Sequence, residues 1–142
     1  MRRIVLISCV GKKLSHKARA EDLYTSPLFK YSLRYAKSLH PDAIYILSAE
    51  YGLLPLDKEI APYEKTLNKM PEKEIKKWAH NVISQLEQRA DLEKDEIIFL
   101  AGKKYRKYLI PHIRNYEIPL ERLSIGRQLN YLKMRLENKL SK

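Results

Sequence analysis

Three apolar runs in this chain each empty into a short loop built from glycine, serine and lysine. Ile4-Val5-Leu6-Ile7 leads into Ser8-Cys9-Val10-Gly11-Lys12-Lys13, Ile44-Tyr45-Ile46-Leu47 into Ser48-Ala49-Glu50-Tyr51-Gly52, and Ile97-Ile98-Phe99-Leu100 into Ala101-Gly102-Lys103-Lys104. A run that is apolar at every position suits a strand covered on both faces by helices, which is the habit of parallel sheets. Loops beyond the same end of neighbouring parallel strands converge, so the pattern locates a site as well as a fold.

Helical periodicity fills the gaps between these runs. After a strand over 3–8 and a basic loop, Thr25-Ser26-Pro27 supplies an N-cap and a proline suited to a first helical turn, and Leu28, Phe29, Leu33, Tyr35 and Ala36 follow at helical spacing up to His40-Pro41-Asp42. The second strand is predicted over 43–48. A long irregular stretch from Leu53 to Pro71 comes next, and structureless segments of that length in a compact domain are usually functional. Pro71-Glu72 opens a helix whose Ile75, Trp78, Ala79, Val82, Ile83 and Leu86 form one apolar face. A strand over 96–101, a short helix through Tyr105, Tyr108 and Leu109, and a last helix over 124–140 with Ile125, Leu129, Leu132, Leu136 and Leu140 inward complete the pattern. Strands that alternate with helices without hairpin turns predict an α/β fold, a three-layer α/β/α sandwich with a mostly parallel central sheet, as one domain over 1–142.

Charge narrows the partner. The 142 residues carry 28 Lys+Arg against 17 Asp+Glu, a net +11, and such an excess attracts phosphate polyanions through counterion release. A heat-adapted surface would explain many charges of both signs better than it explains their imbalance. Ten tyrosines beside two phenylalanines and one tryptophan point the same way, because a phenol ring stacks on a base and keeps a polar handle. A nucleic acid is therefore the expected partner. No apolar run reaches the roughly 18 to 20 residues of a membrane span, and the Met-Arg-Arg start shows no signal-peptide pattern, so a cytoplasmic protein without membrane contact is expected. The lone Cys9 makes no internal disulfide, which fits a reducing compartment. His16, His40, His80 and His112 share no ligand spacing, so neither a metal nor another cofactor is expected.

The loops nominate the site. Gly11-Lys12-Lys13 lacks the glycine spacing and Lys-Ser/Thr ending of a nucleotide-triphosphate loop, leaving Ser8, Cys9, Gly11 and two lysines to hold a single phosphate or a base edge. In the second loop Ser48 would read a base edge, Gly52 permits a sharp reversal, and Asp57 or Glu50 would assist departure of a base from its sugar. Tyr24, Tyr51 and Tyr63 are candidate stacking rings. Lys12 and Lys13 would hold a flanking phosphate, or Lys13 would attack the sugar as an amine. Lys103, Lys104, Tyr105, Arg106 and Lys107 form a basic, aromatic grip for the nucleic-acid backbone.

Taken in order, Ser8 to Lys13, Leu23-Tyr24-Thr25-Ser26-Pro27-Leu28-Phe29, Ser48 to Leu54 with Pro62-Tyr63, Ala101 to Tyr105, and Gly126-Arg127-Gln128-Leu129 resemble a widespread family of small proteins related to the YaaA group of peroxide stress proteins. The resemblance is clearest from Ser48 to Tyr63. It implies DNA binding that limits oxidative damage and an architecture like that of the uracil-DNA glycosylase superfamily. In that architecture Ser8 to Lys13 would face a flipped base and Gly102 to Lys107 the DNA backbone. The Gly-Gln-Asp-Pro and His-Pro-Ser-Pro motifs of uracil excision are missing, which points away from uracil toward a modified base. Three readings follow: a glycosylase-like enzyme acting on an extruded base, a noncatalytic DNA-binding module in DNA protection, and an enzyme processing free nucleotides or nucleosides.

Overall fold

The computed structural model describes residues 1–8 and 11–140, with side chains through Asn138. Five strands form the main sheet: β1 (Arg3–Ser8), β3 (Ala43–Ser48), β4 (Gly52–Pro55), β6 (Glu96–Leu100) and β7 (Asn115–Glu117), in the order β4-β3-β1-β6-β7. β1 is central and parallel to both β3 and β6, β7 is parallel to β6, and β4 alone is antiparallel, against β3. A two-stranded ribbon, β2 (Ala18–Arg19) with β5 (Glu59–Ile60), lies outside this sheet.

Alternation along β1 decides the layers. Val5 and Ile7 face α1 (Ala20–Leu23), α2 (Pro27–Ser38) and α5 (Ile125–Leu140), whereas Ile4 and Leu6 face α3 (Glu72–Glu87) and the segment after α4 (Lys103–Arg106). Side chains of period 2 on a strand with both faces covered must be apolar throughout, and Ile4 to Ile7 are all fully buried. The result is a mixed α/β layered fold with a mostly parallel central sheet. Because the α2 crossover covers one face and the α3 crossover the other, the chain switches face at β1, and the crevice at the carboxyl ends of β1 and β6 is a topological switch point.

Several local signals act as the sequence predicts. Ser26 caps α2 by accepting from the Phe29 amide, with Pro27 in the first turn. Trp78 is core, packed edge-on against Tyr105. Other expectations need correction. The stretch from Leu53 to Pro71 is not structureless: it opens with β4, hairpinned onto β3 through a tight turn, and continues through β5 and a 3-10 turn over Leu67–Lys69. The hairpin exists because Gly52 takes a φ of 73° that a residue with a side chain resists, so the chain reverses within three residues of Ser48. In α5 Leu132 is fully buried and Leu129 and Leu136 half-buried, but Ile125 is 66% exposed because it stands in the first turn, beyond the face that meets α2. The Leu140 side chain lies outside the described residues. No helix among the described residues is long and apolar enough to cross a membrane.

Asp95 fastens the amino end of the sheet. Its carboxylate accepts from the Arg2 amide at 2.9 Å and the Asp91 amide at 2.8 Å, and these bonds, Arg2's first, hold its pKa below the ordinary aspartate value. A depressed folded-state pKa gives stability that is complete above the unfolded value and lost as pH falls through the folded one. Asp95→Asn keeps one acceptor and turns a donor toward the other amide, so it is expected to destabilise the protein at neutral pH by about 2 kcal/mol. Urea unfolding of both proteins across pH should show that difference shrinking once pH drops below about 4, the ordinary aspartate range. A gap unchanged at low pH would remove the carboxylate from the explanation.

Candidate functional site at the carboxyl ends of the strands

The loop after β1 does not stay a simple turn. Beyond Gly11, with its φ of 90°, the chain runs extended beside residues 23–25, joined by Leu14 amide to Leu23 carbonyl at 2.8 Å and Thr25 amide to Lys12 carbonyl at 2.9 Å. Side chains alternate on extended backbone, so Lys12 points to solvent and Lys13 turns inward over two tyrosines. The Lys13 ammonium lies 4.7 Å from the Tyr63 ring centroid and 5.8 Å from that of Tyr24, a cation–π arrangement. Every other lysine whose side chain is described is exposed; Lys13 is half-buried.

Beneath it runs a chain of hydroxyls. Ser48 donates to the Tyr63 hydroxyl at 2.8 Å, and the Tyr63 and Tyr24 hydroxyls share a hydrogen bond of 2.7 Å. Ser48 Oγ also accepts from the Glu50 and Tyr51 amides, so the turn between β3 and β4 is built around it. Trp78 Nε1 donates to the Ser48 carbonyl at 2.8 Å and ties the same residue to α3. Ser48 is fully buried and Tyr24 is 1% exposed, so these two organise the site from below and neither is placed to read or stack on a base. The half-buried Tyr63 and the more exposed Tyr51, packed edge to face at 5.6 Å, remain as rings a ligand can reach.

A cleft of about 700 Å³ opens over this arrangement, lined by Gly11, Lys13, Ser15, Tyr63, Glu64, Lys65, Thr66 and Asn68 among others. Ser15 carries no sequence signal, and Lys65 and Asn68 are marked only as part of the stretch from Leu53 to Pro71, not individually. Glu50, Tyr51 and Gly52 border a neighbouring groove against α3, and Lys65 lines both.

Asp57 does not join the site. Because β4 runs antiparallel, Pro55 stands opposite Tyr45, three residues back from Ser48, and at about 3.3 Å per residue Asp57 lies well toward the amino end of the sheet. It is exposed, in the turn that leads to β5. Cys9 lies outside the described residues.

The basic cluster after β6 is dispersed rather than gathered. Four residues form one helical turn, so consecutive side chains point about 100° apart. Lys103 faces the α2 and α5 side of the sheet edge, while Lys104 reaches the Asn68 carbonyl at 3.2 Å on the side of the first cleft. Lys107 approaches Glu72, whose carboxylate accepts from the Tyr108 hydroxyl; that bond foremost, then neighbouring lysines, holds the Glu72 pKa below the ordinary glutamate value and raises that of Tyr108. Tyr105 is core, 2% exposed, with its hydroxyl near the Leu67 amide, and is no part of a backbone grip.

Ser8 has a different neighbour from the one its loop suggested. Its Oγ accepts from the Gly102 amide at 3.0 Å, bridging the carboxyl ends of β1 and β6. It borders a second cavity, about 310 Å³, on the α2 and α5 side, together with Lys103, Arg106, Arg122 and Gln128. Of these, Arg122 carried no sequence signal, since a single arginine in a polar turn is ordinary.

Two comparisons place the chain among known sequences. It is 34% identical over 116 residues to the uncharacterized protein YfjM of Bacillus subtilis (strain 168), a match covering 77% of this chain and 75% of that protein. Residues 4–134, from β1 through most of α5 and both cavities, match the model of DUF6884, a family of unknown function, and the chain belongs to that family.

Proposed function

We propose that this protein acts on DNA, binding it across the carboxyl end of the sheet and taking one extruded base into the cleft lined by Lys13 and Tyr63. One observation carries the reading: a half-buried lysine over a hydrogen-bonded tyrosine floor, in a cleft lined by Lys65 and bordered by Lys104, with the solvent-facing Lys12 between its lining residues Gly11 and Lys13. The volume of about 700 Å³ falls within the range of small-ligand sites and so accommodates a base with its sugar. The glycosylase-like architecture and kinship with the YaaA group belong to the same proposal, supported by the central place of β1 and by the loops after β1 and β6 meeting at one edge through Ser8 and Gly102.

Of the three residues the sequence nominates for chemistry, Lys13 alone lines this cleft. Excision here would therefore use its amine: the neutral nitrogen attacks the sugar C1′, the N-glycosidic bond breaks, the base departs and takes up a proton, and an imine links Lys13 to the opened sugar. Without that step, the same groups make a binding module.

Fluorescence anisotropy with single- and double-stranded DNA at several salt concentrations tests the binding. Affinity should fall steeply with salt, and replacing Lys12 or Lys65 with alanine should reduce the slope by about one unit each. Salt-insensitive binding, or none, would overturn the reading. Mass spectrometry of bases released from DNA rich in modifications, with borohydride trapping, decides the chemistry. A released base and a trapped adduct lost in Lys13→Ala establish excision; retention of DNA with neither establishes the binding module.

A further inference from the structure

We propose that the recessed cavity between the β1 and β6 ends, α2 and the first turn of α5 is a second binding site, for a small phosphomonoester with a flat apolar body, of nucleoside monophosphate size. It is separate from the Lys13 cleft, shares none of that cleft's lining residues, and does not depend on DNA binding.

The lining divides by chemistry. Leu28, Leu100, Leu120 and Leu123 give apolar walls, and Ser8, Ser32 and Gln128 supply neutral polar groups. Lys103, Arg106 and Arg122 bring three cations, and none of the described lining residues is acidic. Three cations facing one small space without a carboxylate is an unbalanced arrangement that a doubly charged anion completes. Arginine favours phosphate in particular, because its planar fork presents paired donors to two oxygens. The volume of about 310 Å³ stands at the lower end of ligand sites and suits one nucleoside-sized body with its phosphate, not a polymer.

Two donors are already held in place. Arg106 spends one N–H on the Ala101 carbonyl at 2.7 Å, which fixes the guanidinium and leaves its other donors to a ligand. Gln128 is likewise fixed through Nε2 to the Leu123 carbonyl at 2.9 Å. Ordering these side chains in advance lowers the entropic cost of binding. Arg122 has a φ of 67°, the left-handed region where glycine would be relaxed, so a long cationic side chain stands at the rim at the expense of backbone comfort.

That strain supplies a clean test. Calorimetry at low salt with adenosine monophosphate, inorganic phosphate and adenosine as separate probes should give saturable binding of the monophosphate at one site per chain. Inorganic phosphate should bind more weakly and adenosine weakest. Arg122→Gly removes the cation and relieves the backbone, so its unliganded melting temperature should stay level or rise while affinity for the monophosphate falls roughly tenfold or more. Arg106→Gln should weaken binding similarly, and Lys94→Ala, an exposed charge outside the cavity lining, should not. The proposal is overturned if the monophosphate does not saturate, if both arginine variants bind it as tightly as the parent, or if Lys94→Ala weakens it equally. The last result would mean attraction to net charge rather than to a site.

Discussion

Replacing Trp78 with alanine is expected to cost about 3–5 kcal/mol of unfolding free energy, the range for removing a large buried aromatic. The indole lies in the α3 layer of the core, stands edge-on to Tyr105 at 5.6 Å, and donates to the Ser48 carbonyl. Trp78→Phe separates these effects. It keeps most of the apolar contact and leaves the Ser48 carbonyl without its donor, for an expected loss of about 1–2 kcal/mol. Because Trp78 is the chain's only tryptophan, both variants need far-UV circular dichroism in urea rather than intrinsic tryptophan emission. If Trp78→Phe proved neutral, the Ser48 turn would owe its position to the hydroxyl network alone. If it also weakened DNA binding beyond its stability loss, the α3 anchor would be shown to hold the site as well as the core.

The second large effect is expected at Gly52. A Cβ there would lie 2.4 Å from Gln85 Oε1, and that oxygen accepts from the Leu53 amide at 2.9 Å. The long Gln85 side chain can swing away, so collision itself is cheap, but moving it strips the Leu53 amide of its acceptor. Gly52→Ala therefore combines left-handed backbone strain of about 1–2 kcal/mol with a lost hydrogen bond of about 1 kcal/mol or more, about 2–4 kcal/mol in all. A double-mutant cycle checks the division: in a Gln85→Ala background the same change should cost only the backbone part. Equal costs in both backgrounds would rule out the Gln85 contribution.

These residues also show how far the sequence could be read. β1, β3 and β6 are legible because burial on both faces demands unbroken apolar runs, and the convergence of their loops follows from parallel packing. β4 is hidden because only Leu53 and Leu54 of its four residues are buried, a pair too short to display a period. β7 is hidden because all three of its residues are exposed. The hidden reversal decides the place of Asp57, because the antiparallel β4 carries it away from the carboxyl edge of the sheet. At the candidate site Lys13 and Tyr63 line the cleft, whereas Ser48, Tyr24 and Tyr105 are buried out of a ligand's reach. A hydroxyl looks the same in a sequence whether it is offered to a ligand or already bonded inside the protein. The alternation that sends Lys12 outward and Lys13 inward requires the pairing with residues 23–25, which no local pattern announces.

The order of strands also bears on synthesis. β1 is made first and sits in the middle, yet one of its two neighbours, β6, begins at Glu96, with Arg3 paired beside it. At ordinary translation rates about 90 further residues take on the order of ten seconds to appear. During that interval β3 can pair with one edge of β1, with β4 beyond it and α2 across one face, while the other edge of β1 has no partner. A nascent chain of this protein is thus most vulnerable to aggregation just before residue 100 emerges, and most dependent then on chaperones that shield an open strand.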